Sequence, residues 1–566
     1  MIVRLRVSFQ HDQPVLPALM MSVLFLSLPN LLAAFWPKID AVQAESFWLG
    51  IGIILLPAVF SVPLRATLLF WLPLAAMMPA TMIYTLYAGS PLREWAFLVL
   101  METDQKELER FASGAVAGLT LAIPTVWFAW WFVRRHVPGG HRLGWLSRTV
   151  ILVFALMIPL GNLKQRGWEL GVLSTQRKLS ATFPVGPVVS LLAALGIRRD
   201  LDQRPGLAQD VQVRAPSTGA RQIMVLVLGE SARAASFQIN GYERETTPLL
   251  MKTDGVLSFS DVIAPATVTL MSVPLIMTPA RAPWLGKASG MPSVVSVFKA
   301  AGYHTAWLST QRKHGRYDTS SSIYAHDAHE QQFLSGIFAP GDGAYSGVFD
   351  GDLLPPVDQL IKRGDDKLLI VLHTMGSHQH YSDRYPAEFN HFLSKPAKCE
   401  PDPLKGGYTE DQIVNLTNAY DNSIRYTDWF LAQVIERLKA TRSASALLYV
   451  SDHGQNTGRA KVLPFAHGTL TRDVVQLPMI AWLSEEYQQQ FPAKADALKR
   501  HVTSPLSADA TFHLLADMAD LQCELVDASR SAANLTFSPG RRLIRALDGA
   551  VVDFDEALQK QAVKVQ

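Results

Sequence analysis

The chain has 566 residues, of which 49% are apolar and 18% are charged, and its formal net charge is +3. This length leaves room for more than one domain, and the small net charge gives no support for a nucleic-acid partner. The two cysteines, Cys399 and Cys523, exclude a Cys-x-x-Cys metal cluster. They form one disulfide in an oxidising compartment or stay as two free thiols. Any metal site must therefore use oxygen and nitrogen ligands.

Long apolar runs are concentrated in the first 165 residues. Five segments approach the roughly 20 residues that cross the hydrocarbon core of a bilayer, so we predict a domain of five transmembrane helices over residues 1–163. The segments are 16–36, 47–63, 67–87, 113–133 and 148–162. The first follows Arg4 and Arg6 as a signal peptide would, but its length and the lack of a small-residue cleavage site favour an uncleaved anchor.

The arginines indicate how these segments are oriented. Arg4 and Arg6 precede the first segment and further arginines lie between residues 134 and 148, whereas loops 37–46 and 88–112 hold acidic residues and fewer arginines. By the positive-inside rule the N-terminus is cytoplasmic. Five crossings then place the rest of the chain in the periplasm of a bacterial cell, and the protein is predicted to be a multi-pass protein of the inner membrane.

Residues 164–220 contain many basic residues with scattered glycine and proline. We predict a linker with bridging helices that lie along the membrane. Solvated basic side chains are the default interpretation, and contact of these side chains with anionic headgroups is the alternative.

Residues 221–550 alternate between strand-like and helix-like runs. Strands are predicted at 222–228, 304–309, 367–373, 445–451 and 476–482, and helices at about 292–301, 410–440 and 506–519. Alternation at this spacing is typical of an α/β fold with a largely parallel central sheet. We therefore predict one periplasmic domain over 221–550, followed by a C-terminal tail over 551–566.

Acidic and imidazole side chains follow two of the predicted strands. Glu230 comes directly after the first strand, and Asp452 and His453 follow the strand at 445–451. Because the carboxyl ends of parallel strands meet at one edge of a sheet, these three residues are predicted to form one metal site. Carboxylate and imidazole ligands suit zinc or manganese, and zinc prefers four ligands. The fourth is the nucleophile or an open position.

Thr269 is the candidate nucleophile. A threonine hydroxyl is a weak nucleophile at neutral pH, and a bound dication can lower its pKa. The residues that follow Thr269 are typical of a helix start, which favours a phosphate at that position. Thr267 and Ser272 are competing hydroxyls, and both have the alternative role of capping this helix.

Four histidines lie in two loops near the predicted strand ends. We predict that His378 and His467 contact a phosphoryl group, protonate a leaving alkoxide or bind a second metal ion. For His373 and His380 we predict structural roles instead.

Together these motifs resemble the phosphoethanolamine transferases of Gram-negative inner membranes. The matching stretches are Gly229-Glu230-Ser-Ala-Arg233, Asn240-Gly-Tyr-Glu-Arg244-Glu-Thr-Thr-Pro248, Thr269-x-x-Ser-Val-Pro274, Met375-Gly-Ser-His378, Arg384-Tyr-Pro386, Asn418 to Asp428, Ser451-Asp452-His453-Gly454 and His467-Gly468. With the five-segment anchor, the resemblance covers most of the chain and is densest between residues 222 and 470.

The resemblance implies a sulfatase-like or alkaline-phosphatase-like periplasmic domain. It implies a zinc site made by Glu230, Thr269, Asp452 and His453. Thr269 would accept phosphoethanolamine, and His378 and His467 would contact that group or hold a second zinc ion. Manganese is the second choice of metal.

The implied reaction moves phosphoethanolamine from phosphatidylethanolamine, through a phosphothreonine-type intermediate, to lipid A or another lipopolysaccharide or periplasmic glycan. The implied partners are the membrane, the lipid donor and the glycolipid or glycan acceptor, and the protein is expected to be a monomer. If lipid A is the acceptor, the lost negative charge weakens binding of cationic peptides such as polymyxin.

The sequence departs from the family in three places, and these departures leave the acceptor open. At most one disulfide is possible, where relatives acting on lipid A often have several. The residues after the Asp-His-Gly motif are Gln455-Asn-Thr-Gly-Arg459, where many relatives have Glu-Ser-Leu-Gly-Glu. In the loop 309–315, Gln311, Arg312 or Lys313 would replace the substrate-binding Asn and Lys of some relatives.

Two rival interpretations remain at this point. The first is another enzyme of the same superfamily, such as a phosphoglycerol transferase or a phosphatase. The second is a membrane sensor or transporter with a periplasmic binding domain, although the apolar segments lack the buried charges that mark a transport path.

Overall fold

The computed structural model describes residues 15–35, 44–88, 91–94, 97, 105–207, 211–216, 220–313, 319–335, 348–395, 408–456, 458, 465–546 and 550–557. The chain divides into two compact units, and the boundary lies between Arg199 and Asp200. We refer to them as the helical unit and the α/β unit.

The helical unit contains a helix at each of the five predicted apolar segments. Its helices are Val15–Leu26, Leu28–Phe35, Ala44–Val59, Leu64–Phe70, Leu72–Ala75, Met78–Ala88, Gln105–His136, Trp145–Ser180 and Gly186–Leu207. The first and third segments are bent helix pairs, with angles of 62° and 44° at the breaks, rather than the single helices that the sequence predicted. The last two helices fill most of the predicted linker.

The length and apolarity of these helices bear on the predicted membrane crossing. Within the described ranges, no single helix is both long enough and apolar enough to cross a bilayer. The bent pairs Leu16–Leu26 with Leu28–Ala34 and Leu64–Phe70 with Leu72–Leu86 do have a sufficient length and composition. The domain of five transmembrane helices therefore stays a prediction.

The α/β unit is built on a seven-stranded sheet with the strand order β2-β8-β7-β1-β6-β4-β5. The strands are β1 Gln222–Gly229, β2 Val256–Phe259, β4 His304–Ser309, β5 Glu330–Phe333, β6 Lys367–His373, β7 Ala444–Ser451 and β8 Met479–Leu483; a short pair, β3 Val262–Ile263 and β9 Leu506–Ser507, lies outside the sheet. From β7 to β5 all pairings are parallel, whereas β8 is antiparallel to β7 and β2.

The five predicted strands are all present, and the prediction of a largely parallel sheet is confirmed. The central strand β1 is buried on both faces because it alternates between two apolar layers. Met224, Leu226 and Leu228 pack into one core and Ile223, Val225 and Val227 into the other. The edge strands β2 and β5 were not predicted, since the first is short and the second, Glu-Gln-Gln-Phe, has no apolar run.

Helices cover both faces of this sheet. They are Thr269–Met277, Val294–Ala300, Thr319–Ser322, Leu354–Arg363, Glu410–Ala440, Arg472–Val475, Glu485–Gln490, Pro492–His501 and Thr511–Met518. The longest has the predicted bounds, and its N-terminus is a capping box in which Thr409 and Gln412 satisfy each other's backbone N–H groups.

The C-terminal end of the described chain is a hairpin of β10 Leu543–Arg545 and β11 Val551–Asp553. Its Ile544 and the following Phe554 are buried against Ile263 and Val474. The residues assigned to a tail therefore begin inside this hairpin. Cys523 forms no disulfide with another described residue, and Cys399 lies outside the described ranges.

Candidate metal and phosphoryl-transfer site

Strand β1 delivers Glu230 to the carboxyl edge of the sheet. Gly229, the last residue of β1, faces the ring of Tyr449, and a Cβ at this position would lie 2.6 Å from that ring. Ser231 turns the chain with a φ of 57°, a left-handed conformation that is uncommon for residues other than glycine. Its hydroxyl donates a hydrogen bond to Glu230 Oε1 at 2.6 Å, so the turn itself orients the carboxylate.

Strand β7 lies beside β1 and delivers Asp452 and His453 to the same edge. Asp452 Oδ1 accepts hydrogen bonds from the backbone N–H of Ser231 at 3.1 Å and from that of His453 at 2.7 Å. Gly454 is required next, because a Cβ there would lie 2.1 Å from the carbonyl oxygen of Asp473. The two strand ends are thereby joined, and the expected meeting of Glu230, Asp452 and His453 is found: their ligand atoms lie within 4.8 Å of one another.

Thr269 is the first residue of the helix Thr269–Met277, and its hydroxyl points into this group. Its Oγ1 lies 3.2 Å from Glu230 Oε2 and 3.1 Å from His453 Nε2. The competing hydroxyls are used elsewhere: Thr267 donates to the carbonyl of Gly468, and Ser272 donates to the carbonyl of Asp452. We call Glu230, Thr269, Asp452 and His453 the strand-tip cluster.

Acceptor atoms face each other in the strand-tip cluster. His453 Nδ1 lies 2.9 Å from the carbonyl oxygen of Gly454, so Nδ1 carries the proton and the lone pair of Nε2 is directed at the carboxylates. Nε2 is 3.5 Å from Glu230 Oε1 and 3.5 Å from Asp452 Oδ2. Asp452 Oδ2 is buried, and no described residue donates a hydrogen bond to it.

Burial, together with the nearby charge of Glu230, raises the pKa of Asp452 to about 7, although His453, Thr269 and the backbone of Ser231 partly offset the rise. A buried carboxylate oxygen without a donor is costly unless a cation or a proton neutralises it. Three converging ligands of this type, with a hydroxyl as the fourth, fit the tetrahedral preference of zinc. The residues present therefore fit a zinc ion.

The two histidines predicted to contact substrate lie around the strand-tip cluster. The ring of His467 packs against that of His453 with centroids 4.2 Å apart, and its Nδ1 is 3.2 Å from Gln455 Oε1. His378 Nδ1 is 2.6 Å from the carbonyl oxygen of Gln379. Burial lowers the pKa of His378 to about 4 and that of His467 well below its usual range. Both rings are therefore neutral near pH 7 and can offer lone pairs.

The histidines predicted to be structural are not among the three described residues whose ligand atoms converge at the strand tips. His373 is buried at the end of β6, where its Nδ1 lies 3.2 Å from Ser309 Oγ and its ring contacts Trp307. Burial lowers its pKa to about 3. The carbonyl of His380 accepts a hydrogen bond from the backbone N–H of Asp383 and so forms a turn.

Two further polar residues border the cluster. Of the three candidates in the loop after β4, Gln311 has a side chain that reaches Glu230, since its Nε2 lies 3.5 Å from Oε2 and donates to the carbonyl of Thr374 at 2.8 Å. Asp350 lies behind the same loops and was not predicted. It is a single aspartate outside any recognisable pattern, so no signal in the sequence could have found it.

Comparison with known proteins relates this site to characterised families. The sulfatase family matches residues 222–521 of the chain. Phosphoethanolamine transferase EptC of Escherichia coli O18:K1:H7 is 25% identical over 541 residues, which cover 91% of this chain and 90% of the relative. Phosphatidylethanolamine transferase Mcr-1 of Escherichia coli is 32% identical over 395 residues, which cover 65% of this chain and 68% of the relative.

Solved structures match both parts of the chain. The C-terminal periplasmic domain of EptC from Escherichia coli, in complex with Zn, is 26% identical with a TM-score of 0.53 and covers 61% of this chain and 96% of the solved one. The integral membrane protein lipooligosaccharide phosphoethanolamine transferase A of Neisseria meningitidis covers 92% of this chain and 98% of its own. At 19% identity and a TM-score of 0.50, this second similarity concerns the fold alone.

Proposed function

We propose that this chain, which belongs to the sulfatase family and within it to the phosphoethanolamine transferases, moves phosphoethanolamine from phosphatidylethanolamine to an acceptor by way of Thr269. One observation carries the assignment of the nucleophile. The Thr269 hydroxyl lies 3.2 Å from Glu230 Oε2 and 3.1 Å from His453 Nε2, whereas the hydroxyls of Thr267 and Ser272 are bonded to backbone carbonyls.

The proposed reaction has two displacements at phosphorus. In the first, Thr269 Oγ1 bonds to the phosphorus of the donor and loses its proton, while the bond from phosphorus to the diacylglycerol oxygen breaks and that oxygen takes up a proton. In the second, an acceptor oxygen bonds to the phosphorus, the bond to Oγ1 breaks, and Thr269 regains its proton. The covalent route divides one transfer into two easier steps.

The strand-tip cluster supports a metal-dependent version of this chemistry. Glu230, Asp452, His453 and the hydroxyl of Thr269 would hold a zinc ion, and a relative in the family has been solved with Zn. When bound, a dication lowers the pKa of a coordinated hydroxyl and offsets charge on phosphoryl oxygens. His378 and His467 would hold a second ion or contact the phosphoethanolamine group directly. Manganese is the second choice.

Side chains of this chain account for positioning and proton handling. Thr269 lies at the N-terminus of a helix, where free backbone N–H groups and the helix dipole favour a phosphate group. His378 and His467 are neutral near pH 7, so each can accept a hydrogen bond from the ammonium group, or take up the proton that Thr269 loses and pass it to the leaving oxygen. Gln311, whose Nε2 lies 3.5 Å from Glu230 Oε2, would be an amide donor to a phosphoryl oxygen.

The proposed setting is the bacterial inner membrane, with the α/β unit in the periplasm. The relatives named above are an integral membrane protein and a protein with a periplasmic C-terminal domain. The donor would reach Thr269 from the periplasmic leaflet. The acceptor would be lipid A, another part of lipopolysaccharide or a periplasmic glycan, and the protein would act as a monomer.

The test is the intact mass of the purified full-length protein after incubation with phosphatidylethanolamine. We expect the wild type to gain the mass of one phosphoethanolamine group and to release diacylglycerol, and Thr269→Ala to do neither. Thr267→Ala is the matched control, because it removes a hydroxyl two residues away and should keep the adduct.

Three results would contradict the assignment. An adduct on Thr269→Ala would exclude Thr269 as the nucleophile. A glycerol-phosphate adduct from phosphatidylglycerol would indicate a phosphoglycerol transferase, and release of phosphate without any adduct would indicate a phosphatase.

A further inference from the structure

A buried carboxylate, Asp350, lies behind the strand-tip cluster and has no part in the reaction described above. Its exposed fraction is 4%, and it opens the short turn Asp350–Leu353 that precedes the helix Leu354–Arg363. Burial raises the pKa of its carboxyl group, which several hydrogen bonds lower in turn. Burying a carboxyl group costs free energy of folding even when the group accepts several hydrogen bonds. A role for Asp350 is therefore expected.

The donors come from two different loops. Asp350 Oδ1 accepts from the hydroxyl of Thr310 at 2.6 Å and from the backbone N–H of Met375 at 2.9 Å. Oδ2 accepts from the backbone N–H of Gly376 at 3.0 Å. Thr310 follows β4, and Met375 and Gly376 follow β6. The carboxylate thus holds together two neighbouring strand-end loops, with the Thr310 hydroxyl also accepting from Met375 N–H at 2.9 Å.

The loop after β6 is in turn packed directly against Glu230. The backbone N–H of Ser377 donates to the carbonyl oxygen of Glu230 at 2.9 Å. At Gly376, which has a φ of +49°, an added Cβ would lie 2.7 Å from that same oxygen and 2.9 Å from the nitrogen of Glu230. His378 is the next residue but one. A shift of this loop would therefore move Glu230 and His378 together.

The loop after β4 reaches the same carboxylate from the other side. Gln311 follows Thr310 directly, and its Nε2 joins the carbonyl of Thr374 to Glu230 Oε2. Each of the two loops held by Asp350 thus has a residue that contacts Glu230, namely Gln311 after β4 and Ser377 after β6.

We propose that Asp350 is a positioning residue for phosphoethanolamine transfer, which sets the loops that carry Gln311 and His378 against Glu230. The inference rests on the proposed function of the strand-tip cluster. It identifies a residue outside the strand-tip cluster that controls where two of the surrounding groups, Gln311 and His378, lie relative to Glu230. Displacement of reacting groups by about an ångström can cost about 100-fold in rate.

The substitution that tests this is Asp350→Asn in the full-length protein. An amide keeps the shape of the carboxylate but has only one acceptor oxygen. Its NH₂ group must face either the N–H of Gly376 or the hydroxyl of Thr310 and the N–H of Met375, so hydrogen bonds to one of the two loops are lost. We expect the rate constant for adduct formation at saturating phosphatidylethanolamine to fall about 10–100-fold, the range measured when supporting residues of metal sites are lost. The fraction of protein that finally carries the adduct should stay near that of the wild type.

Asp428→Asn is the matched control. Asp428 is also a buried carboxylate that accepts two backbone N–H groups, those of Leu249 and Leu250, but these lie away from the loops held by Asp350. We expect Asp428→Asn to keep the wild-type rate constant. Thr310→Val serves as a milder second variant, since it removes one of the three donors, and its rate constant should fall by less than that of Asp350→Asn.

The two readouts separate positioning from folding. If Asp350→Asn and Thr310→Val lower only the final fraction of adduct while the rate constant is unchanged, or if Asp428→Asn slows the reaction equally, Asp350 is merely structural and the inference is overturned. If Asp350→Asn does not fold, the rate constant of Thr310→Val decides in the same way. Failure of the proposed function is distinct from these outcomes, because the wild type itself would then form no adduct on Thr269.

Discussion

Two places in the α/β unit contain buried carboxylates, and their negative charge is neutralised from different sources. In the strand-tip cluster, the acceptor atoms of Glu230, Asp452 and His453 face one another, and Asp452 Oδ2 receives no hydrogen bond from any residue of the described ranges. This surplus of acceptors needs a cation from outside the chain.

The second place is the helix Glu410–Ala440, where acidic side chains meet donors from the chain itself. Arg244 pairs with Asp421, whose Oδ2 also accepts from Tyr242 at 3.0 Å. Asp428 accepts from two backbone N–H groups. We call Arg244, Asp421 and Asp428 the helix anchor, because they dock the segment after β1 onto this helix.

This difference distinguishes residues that bind a ligand from residues that stabilise the fold, although both kinds occur in the same set of motifs. Both groups belong to the stretches on which the family resemblance rests, and both contain buried carboxylates. In the helix anchor the cation Arg244 belongs to the chain itself and neutralises Asp421, even though Asp421 Oδ1 also has no hydrogen-bond partner among the described residues. The strand-tip cluster brings three acceptors together with no lysine or arginine in the group, so it is complete only with a ligand. The following predictions test this distinction.

The largest effect is expected when the strand-tip cluster loses a ligand. Asp452→Asn should lower zinc content after dialysis and reduce adduct formation by more than about 100-fold, because second-sphere changes alone cost 10–100-fold. Chelation should lower the melting temperature of the wild type, since a ligand that binds the folded state stabilises it. The melting temperature of Asp452→Asn should be insensitive to chelation, and an equal response of the two proteins would contradict a metal at this site.

A smaller effect of another kind is expected at the helix anchor. Arg244→Ala leaves the buried carboxylate of Asp421 without its ion pair, although Arg244 itself is partly exposed. We expect the free energy of unfolding to fall by about 2–3 kcal/mol, with zinc content per folded molecule unchanged. Denaturant unfolding and metal analysis of the same samples measure both. Loss of zinc in this variant would mean that the two regions are not independent.

The smallest effect concerns pH and Asp428. Burial raises the pKa of Asp428 to about 6 in the folded protein, from an ordinary value of 3.8. The folded state therefore holds its proton more firmly, so this contribution to stability is present below pH 4 and is lost as the pH rises through 6. Between pH 5 and 7 the free energy of unfolding should fall by about 1 kcal/mol more in the wild type than in Asp428→Asn. Parallel pH profiles for the two proteins would contradict the raised pKa.

The sequence predicted the sheet of the α/β unit closely because its central strands are buried on both faces. Every residue from Ile223 to Leu228 is apolar, as burial on both faces requires. Strands β1, β4, β6 and β7 begin and end within one residue of their predicted bounds. The edge strand β5 was missed because a strand paired on one side needs no apolar run. In the helical unit, apolarity marked the right segments but could not reveal the breaks near Ser27 and Trp71.

Part of the candidate site could also be predicted from the sequence. Strand ends followed at once by Glu230 and by Asp452-His453 predict a shared edge, since parallel strands align their carboxyl ends. This is a local signal that needs only the order of residues. The sequence named Thr269 as the candidate nucleophile ahead of Thr267 and Ser272, but it could not give the direction of any of the three hydroxyls.

The sequence by itself therefore determined which residue types could act and on which strands they stand. Only the tertiary structure decided that Thr269 Oγ1, and neither Thr267 nor Ser272, lies beside Glu230 and His453. It also brought Asp350 beneath two loops that are distant from it along the chain. The physical reason is that hydrogen bonds depend on ångström-scale direction and distance, which periodicity and composition do not record.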